Sequence, residues 1–237
     1  MPRPLDVLRS LAFYAAFYGG SMLIVPTTVV LLLLGSQRRF RIAVHAWSAW
    51  HRLCSRNLLG QHLRIEGELP SGAVLVAVKH ESFFEAIDLP QLLPLPVVFA
   101  KAELMRIPLW GMAAARYGLV AVEREQGAKT LRRMIAAARE LSDNGARPLA
   151  IFPEGTRVPH GTCPELKSGF AGLYKLLDLP VVAVAVDSGP LYHRWWKRAG
   201  TITYRFSEVI PRGLPRHEAE AQVRAAMNAL NAPVGAA

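Results

Sequence analysis

A histidine and a carboxylate stand five positions apart at the end of an apolar run in VLVAVKHESFFEAIDLP, residues 74–90. A neutral imidazole accepts a proton from a hydroxyl near pH 7, and a carboxylate on its other ring nitrogen fixes the tautomer. His80 and Glu85 therefore predict general-base catalysis in which a hydroxyl of the substrate attacks. The spacing alone is also typical of a helix-capping histidine followed by a solvated glutamate.

Several other chemistries lack the residues that they need. A zinc protease motif, His-Glu-x-x-His, requires histidine at position 84, which is Phe84. There is no P-loop and no G-x-S-x-G elbow, since Ser168–Gly169 lies in LKSGF. Cys54 and Cys163 are far apart and indicate neither a zinc site nor a disulfide framework. No metal site is expected.

Six short apolar runs and one amphipathic helix are the elements that must position these residues. The runs are AVLVAV (73–78), VVFA (97–100), GLVAV (118–122), PLAIF (148–152), VVAVAV (181–186) and TITYRF (201–206). Continuous apolarity is typical of strands buried on both faces. The segment TLRRMIAAARELSDNG predicts a helix that begins at a Thr130 cap and stops at Gly145. Strands alternating with helices predict an α/β fold with a mainly parallel sheet flanked by helices.

Polar residues follow four of the predicted strands. His80 follows the first run, Lys101 the second and Arg124 the third, and PEGTR (153–157) follows the fourth. In open α/β sheets, ligands bind in the crevice beyond the carboxyl ends of the strands. The sequence therefore predicts that these four clusters line one site.

The N-terminal segment is apolar enough to enter a membrane. Residues 10–37 carry no charge over 28 positions, and about 20 apolar residues suffice to cross a bilayer core. The segment lacks the short core and the small-residue cleavage site of a signal peptide. Gly19–Gly20 and Pro26 interrupt it, so we expect a membrane-anchoring helix or a re-entrant hairpin. The alternative is a buried helix of a soluble protein.

Charge and aromatic residues point to an anionic surface as a partner. Lys and Arg outnumber the acidic residues by 28 to 18, for a net charge of +10. Residues 41–60 predict an amphipathic helix whose Trp47 and Trp50 suit either a membrane interface or core packing. The mixed aromatic and cationic segment 192–200 is either a second interfacial contact or a solvated loop. No nucleic-acid module is present, and no nucleic-acid partner is expected.

Four blocks occur in a fixed order along the chain. They are KHESFFE (79–85), KAELMRIPLWG (101–111) running into GLVAVER (118–124), IFPEGTR (151–157) and LPVVAVAVDSG (179–189). Together they resemble the glycerolipid acyltransferase superfamily, specifically the bacterial 1-acylglycerol-3-phosphate (lysophosphatidic acid) acyltransferases. The resemblance covers about residues 40 to 215, and FPEGTR and the K-x-E-L…P…G block are its most specific parts.

The resemblance implies His80 as the general base and Glu85 as the catalytic carboxylate. The family usually has aspartate at this second position, so the chain keeps the charge and adds one methylene. The fourth block normally carries proline where this chain has Ala183.

The resemblance also implies the acceptor site. Lys101 and Arg124 match basic positions that face the acceptor phosphate. Glu154 and Gly155 match positions implicated in acceptor binding, and Arg157 offers a bidentate fork for phosphate.

The implied reaction transfers an acyl chain from acyl-CoA or acyl-carrier protein to the free hydroxyl of lysophosphatidic acid, giving phosphatidic acid. No metal or redox cofactor is implied. Alternatives are another lysolipid acceptor, such as a lyso-ornithine lipid, or a catalytically weak membrane-binding relative.

We expect a membrane-associated region over residues 1–60 and an α/β acyltransferase domain over residues 61–237. We also expect the inner (cytoplasmic) membrane, with the domain on the cytoplasmic side, because basic residues are slightly more numerous downstream of the apolar segment.

Overall fold

The computed structural model describes residues 3–122, 128–142 and 147–231 of the chain. Its helices are α1 (Pro4–Leu33), α2 (Gln37–Cys54), α3 (Phe84–Leu92), α4 (Trp110–Tyr117), α5 (Ala128–Leu141), α6 (Ser168–Leu177), α7 (Gly189–Tyr192) and α8 (Arg216–Met227). Its strands are β1 (Gln61–Glu66), β2 (Leu75–Val78), β3 (Val97–Lys101), β4 (Leu119–Val122), β5 (Leu149–Ile151), β6 (Val181–Val186) and β7 (Gly200–Phe206). A π-helical turn (Ser55–Leu59) continues α2, and a 3₁₀ turn (Ala102–Arg106) follows β3.

The described strands form one seven-stranded sheet in the order β1-β7-β6-β2-β5-β3-β4. β2 pairs in parallel with β5 and β6, and β3 pairs in parallel with β4 and β5. β7 runs antiparallel to β6, and β1 is parallel to β7. The predicted α/β fold with a mainly parallel sheet and flanking helices is confirmed. Because β2 to β6 run in one direction, their carboxyl ends lie at one edge of the sheet.

Both faces of the central strands are buried, which explains their continuously apolar sequences. In β2, Leu75 belongs to one apolar cluster with Phe170 of α6, whereas Val76 belongs to another with Phe13 and Phe17 of α1. Successive side chains of a strand point to opposite faces. A strand covered on both sides therefore needs apolar residues at every position.

The N-terminal segment forms a helical hairpin. α1 is one continuous 30-residue helix that contains Gly19–Gly20 and Pro26, so of the two expected forms, a helix or a re-entrant hairpin, the apolar segment adopts the helix. The chain reverses direction over residues 34–36, and α2 returns alongside α1. In the described part of the chain, one helix, α1, is long and apolar enough to cross a membrane.

α2 packs against α1 through its tryptophans. Trp47 Nε1 donates a hydrogen bond to Ser21 Oγ at 2.9 Å, and Trp50 Nε1 donates to the backbone oxygen of Ala16 at 3.3 Å. Of the two interpretations of these tryptophans, packing is the one that the structure supports. The amphipathic helix predicted over residues 41–60 begins earlier, at the start of α2, and includes the π-helical turn.

The predicted boundary between residues 60 and 61 falls between the hairpin and β1. Phe13 and Phe17 nevertheless pack into the same apolar cluster as Val76 of the sheet. The division into a membrane-associated region and an acyltransferase domain stays a prediction. The hairpin contributes directly to the core of the α/β unit.

Candidate active site

Three loops meet where the central strands end. The loop after β2 (79–83) contacts the loop after β5 (152–167) through the backbone oxygen of His80, which accepts from Val158 N at 2.8 Å. Ser188, two residues after β6, hydrogen-bonds into the same cluster. Parallel strands thus bring polar residues from distant parts of the sequence to one edge of the sheet.

His80 and Glu85 form a hydrogen-bonded pair. His80 Nδ1 lies 3.1 Å from Glu85 Oε1, and the His80 ring stacks on Phe152 with a centroid distance of 4.3 Å. A carboxylate oxygen accepts hydrogen bonds, so Nδ1 of the neutral ring carries the proton. The basic lone pair is then on Nε2, and His80 lines the large cavity described below.

Glu85 is wholly buried, and protein groups satisfy both of its oxygens. Oε1 accepts from the backbone N–H groups of Glu81 and Ser82, the second at 2.6 Å. Oε2 accepts from the hydroxyl of Ser82 at 3.0 Å and from that of Ser188 at 2.7 Å. Glu85 also stands in the first turn of α3, where the helix dipole favours negative charge. These donors offset the cost of burying a carboxylate.

A buried ion pair fixes the backbone next to His80. Lys79 is wholly buried, and its Nζ donates to Glu154 Oε1 at 3.0 Å. It also donates to the backbone oxygen of Thr162 at 3.1 Å and to Asn228 Oδ1 at 2.8 Å. Glu154 Oε2 accepts from His80 N at 2.9 Å. Both oxygens of Glu154 are therefore used by protein groups, and its predicted contact with the acceptor stays a prediction.

The turn after Glu154 separates a buried residue from an exposed one. Gly155 has φ of 67°, in the left-handed region that favours glycine, and it lines the cavity together with Arg157. Glu154 is buried, whereas Arg157 is exposed. The PEGTR segment thus supports His80 from one side and presents a cation to the cavity from the other.

Two predicted phosphate-binding cations border the same cavity as His80. Lys101, at the end of β3, and Arg157 are both exposed, and neither forms an ion pair with a carboxylate of the described residues. The guanidinium carbon of Arg157 lies 4.1 Å from the centroid of the Phe83 ring. Arg124 lies outside the described residues.

The cavity is large and mostly apolar. Its volume is about 1370 Å³, which exceeds the roughly 300–1,000 Å³ of usual small-molecule pockets. Apolar walls come from the hairpin, from α3 and from the segment around α4, and include Val25, Val29, Phe40, Ile87, Pro108 and Trp110. Such a space fits an alkyl chain, while Lys101 and Arg157 at its border fit an anionic group.

Sequence reasoning assigned no role to Lys79, Glu81 or Ser188, which are all wholly buried beside the pair. Glu81 Oε1 lies 3.0 Å from His160 Nδ1, and Glu81 Oε2 accepts from Gly189 N at 2.9 Å. Burial raises the pKa of Glu81, and the hydrogen bond from Gly189 opposes this shift. Their position could have indicated a role, because Lys79 and Ser188 come just after continuously apolar strands.

The assembled site has the parts for proton abstraction from an amphiphilic substrate. Glu85 Oε1 faces His80 Nδ1, an arrangement in which a carboxylate can orient an imidazole and stabilise the imidazolium formed when Nε2 takes a proton. The described His, Cys, Asp and Glu residues form no group of three that could hold a metal ion.

Comparisons with known proteins give the family. Residues 62–187 match the family model described as Acyltransferase. Over 208 residues the chain is 29% identical to 1-acyl-sn-glycerol-3-phosphate acyltransferase of Pseudomonas aeruginosa, covering 84% of this chain and 77% of that protein. It is 36% identical over 109 residues to the Helicobacter pylori protein of the same name, covering 46% of this chain and 45% of that protein. It is 30% identical over 124 residues to lyso-ornithine lipid O-acyltransferase of Rhizobium meliloti, covering 52% of this chain and 41% of that protein.

The fold has a counterpart among solved structures. The crystal structure of the 1-acyl-sn-glycerophosphate (LPA) acyltransferase of Thermotoga maritima matches with a TM-score of 0.64 at 22% identity, covering 98% of each chain. That likeness concerns the fold. The family model spans more than half of the sequence and includes His80, Glu85 and the PEGTR segment. The chain therefore belongs to the acyltransferase family that this model describes.

Proposed function

We propose that this enzyme transfers an acyl chain from acyl-CoA or acyl-carrier protein to the free hydroxyl of lysophosphatidic acid, forming phosphatidic acid. The observation that carries the proposal is that His80, held by the buried Glu85, lines one cavity together with an apolar wall and two exposed cations. The names of the relatives support the choice of acceptor.

His80 acts on the acceptor hydroxyl. Its Nε2 takes the proton as the hydroxyl oxygen attacks the thioester carbonyl carbon, and Glu85 stabilises the imidazolium. Collapse of the tetrahedral intermediate breaks the carbon–sulfur bond, and the leaving thiolate takes the proton from His80. The protein ends the cycle in its starting protonation state, and no acyl-enzyme intermediate forms.

Lys101 and Arg157 bind the phosphate of the acceptor, and Arg124 joins them. Arg157 provides two N–H groups in one plane, which match two phosphate oxygens, whereas Lys101 acts as a point charge. Gly155 allows the backbone to approach the acceptor closely. Glu154 contributes indirectly, through Lys79 and the backbone of His80.

A second acceptor is favoured by one specific observation, the 30% identity to lyso-ornithine lipid O-acyltransferase over 124 residues. A lyso-ornithine lipid carries a carboxylate in place of the phosphate. One or two cations suffice for that group, whereas three cationic side chains suit a phosphate better.

The enzyme works at a membrane, since both its acceptor and its product are lipids. We place it at the inner (cytoplasmic) membrane with the α/β unit on the cytoplasmic side, where acyl-CoA and acyl-carrier protein are available. The exposed apolar side chains of α1, such as Met22 and Leu23, support attachment to a membrane.

An assay of purified protein with lysophosphatidic acid and labelled acyl-CoA tests the function. We expect labelled phosphatidic acid from the wild type and a loss of at least about 10²-fold in kcat for His80→Ala, because a general base has been removed. Arg157→Lys should raise the KM for lysophosphatidic acid and leave the KM for acyl-CoA nearly unchanged, because a point charge cannot reproduce the guanidinium fork.

Each alternative has its own outcome. Near-normal turnover by His80→Ala would exclude the mechanism. A higher kcat/KM with a lyso-ornithine lipid than with lysophosphatidic acid would change the acceptor. A penalty of Arg157→Lys confined to the donor would assign Arg157 to the CoA side of the site.

A further inference from the structure

The outer oxygen of Glu85 is held by a residue from another part of the sheet. Ser188 lies just beyond β6, and its Oγ is 2.7 Å from Glu85 Oε2. Ser82 Oγ lies 3.0 Å from the same oxygen and 2.8 Å from Ser188 Oγ. All three side chains are wholly buried, so no water competes for these contacts.

The proton of the Ser188 hydroxyl can be assigned. Ser82 Oγ accepts from Phe84 N at 3.0 Å, and each serine hydroxyl has one proton to donate. Ser188 has the shorter contact with Glu85, which marks it as a donor to the carboxylate. The proton of Ser82 then lies towards either Glu85 or Ser188, and both arrangements leave the bond from Ser188 to Glu85 intact.

We infer that Ser188 is a positioning residue, which acts on the His80 base through Glu85. A carboxylate is planar, so fixing Oε2 also fixes the direction in which Oε1 faces His80 Nδ1. The inference rests on the proposed function, in which Glu85 orients the base. Ser188 belongs to the loop after β6 and touches His80 only through this chain of contacts.

The length of Glu85 makes the contact with Ser188 possible. A glutamate has one more rotatable bond than an aspartate and reaches about 1.5 Å further along its side chain. That bond must be ordered for the carboxylate to face His80 in one orientation. Ser188 supplies the order from across the site, while the backbone N–H groups of Glu81 and Ser82 hold the other oxygen. An aspartate at position 85 would draw the carboxylate away from Ser188.

Three variants of the full-length enzyme test the inference: Ser188→Ala, Glu85→Asp and the double variant. We expect Ser188→Ala to lower kcat about ten- to a hundredfold, the usual range for a hydrogen bond to a charged group, with both KM values unchanged within about twofold. In the Glu85→Asp background the same substitution should change kcat by less than about threefold, because the shorter side chain no longer contacts Ser188.

Ser48→Ala is the matched control. Ser48 is also wholly buried, and its Oγ donates to the backbone oxygen of Ile87 in α3 at 2.7 Å, but it does not touch Glu85. We expect this variant to lose thermal stability with kcat nearly unchanged.

Two results would overturn the inference. An equal loss of kcat from Ser188→Ala in both backgrounds would show a general structural role, and unchanged kcat in the wild-type background would show no role. Failure of the proposed function itself is recognised separately, because the wild-type enzyme would then form no phosphatidic acid or would tolerate His80→Ala.

Discussion

His80 is held through its backbone as well as through its ring. Its N–H donates to Glu154 and its oxygen accepts from Val158, while Nδ1 bonds to Glu85. A base that is already fixed in the free enzyme loses little conformational entropy when the substrate binds. The loops after β2 and β5 therefore hold His80 together.

We expect kcat/KM to depend more on the charge of the Glu85 side chain than on its length. Glu85→Gln should lower kcat/KM far more than Glu85→Asp, because glutamine loses the charge that favours the imidazolium and its amide donates to a nitrogen that needs an acceptor. Aspartate keeps the charge but places it less well. We expect the order wild type, Glu85→Asp, Glu85→Gln in an assay with lysophosphatidic acid and acyl-CoA.

One outcome of this assay would contradict the role of Glu85. Equal activity of Glu85→Asp and Glu85→Gln would show that Glu85 has only a structural role. His80 would then need another orienting partner.

The spacing of residues and the order of the blocks were enough to predict the contact between His80 and Glu85. They did not predict that Glu154 bonds to Lys79 and to the backbone of His80. A histidine and a carboxylate near one helix start are local in sequence, so their contact follows from the chain itself. The buried ion pair of Lys79 and Glu154 instead depends on Asn228, which is 149 positions from Lys79 and belongs to the end of α8. A contact between residues so far apart in the sequence cannot be predicted from the spacing within one motif.

Among the secondary-structure elements, all six predicted strands are present. The search for continuously apolar runs did not predict β1. β1 is an edge strand of sequence QHLRIE, in which exposed polar residues interrupt the apolar ones. An edge strand faces solvent along one side and does not need a continuous apolar run. α5 begins at Ala128, two residues before the predicted Thr130 cap, and the predicted stop at Gly145 lies outside the described residues.

Contacts between α2 and α3 join the hairpin to the helix of Glu85. Arg52 forms a two-point ion pair with the buried Asp88, with 2.8 Å between Nη2 and Oδ2. Burial raises the pKa of Asp88, and the hydrogen bonds from Arg52 oppose this shift. Because Asp88 is three residues from Glu85, this ion pair fixes α3 to α2 close to the carboxylate that contacts His80.

A buried histidine makes the docking of α2 sensitive to pH. His51 Nε2 lies 2.8 Å from Tyr192 Oη, and burial lowers the pKa of His51 from 6.5 to about 3. Between these values the unfolded chain binds more protons than the folded one, so the free energy of unfolding falls as the pH falls. The slope from this group is at most about 1.4 kcal/mol per pH unit.

Replacing His51 with glutamine should remove this contribution. Glutamine can keep a hydrogen bond to Tyr192 but does not titrate, so His51→Gln should lose less stability than the wild type on acidification below pH 6.5. Denaturant unfolding in detergent micelles at several pH values measures the difference. Comparing the two proteins cancels the contributions of Asp88 and the other shared groups. Parallel pH dependences would show that His51 is not the titrating group.

For the molecule as a whole, both the outer face of α1 and the loop after α7 expose large apolar side chains. Met22 and Leu23 are 76% and 73% exposed, and Trp195 is 83% exposed. Tyr14 Oη donates to the backbone oxygen of Trp195 at 2.6 Å, which fixes this loop beside α1. Apolar side chains next to tryptophan and arginine suit a bilayer interface.

Deleting residues 1–37 would remove Phe13 from the core, so it would test folding as well as attachment.

Surface substitutions on α1 separate membrane attachment from folding. The double variant Met22→Gln/Leu23→Gln should move the enzyme from the membrane pellet to the soluble fraction after a high-salt wash, because each buried side chain contributes about 1.5–3 kcal/mol to insertion. The matched control Ile65→Gln/Val209→Gln changes two exposed apolar residues outside α1 and should stay in the pellet. Trp195→Ala should weaken attachment less than the α1 variant does. Release of the wild-type enzyme by salt alone would show that its cations, rather than α1, hold it to the membrane.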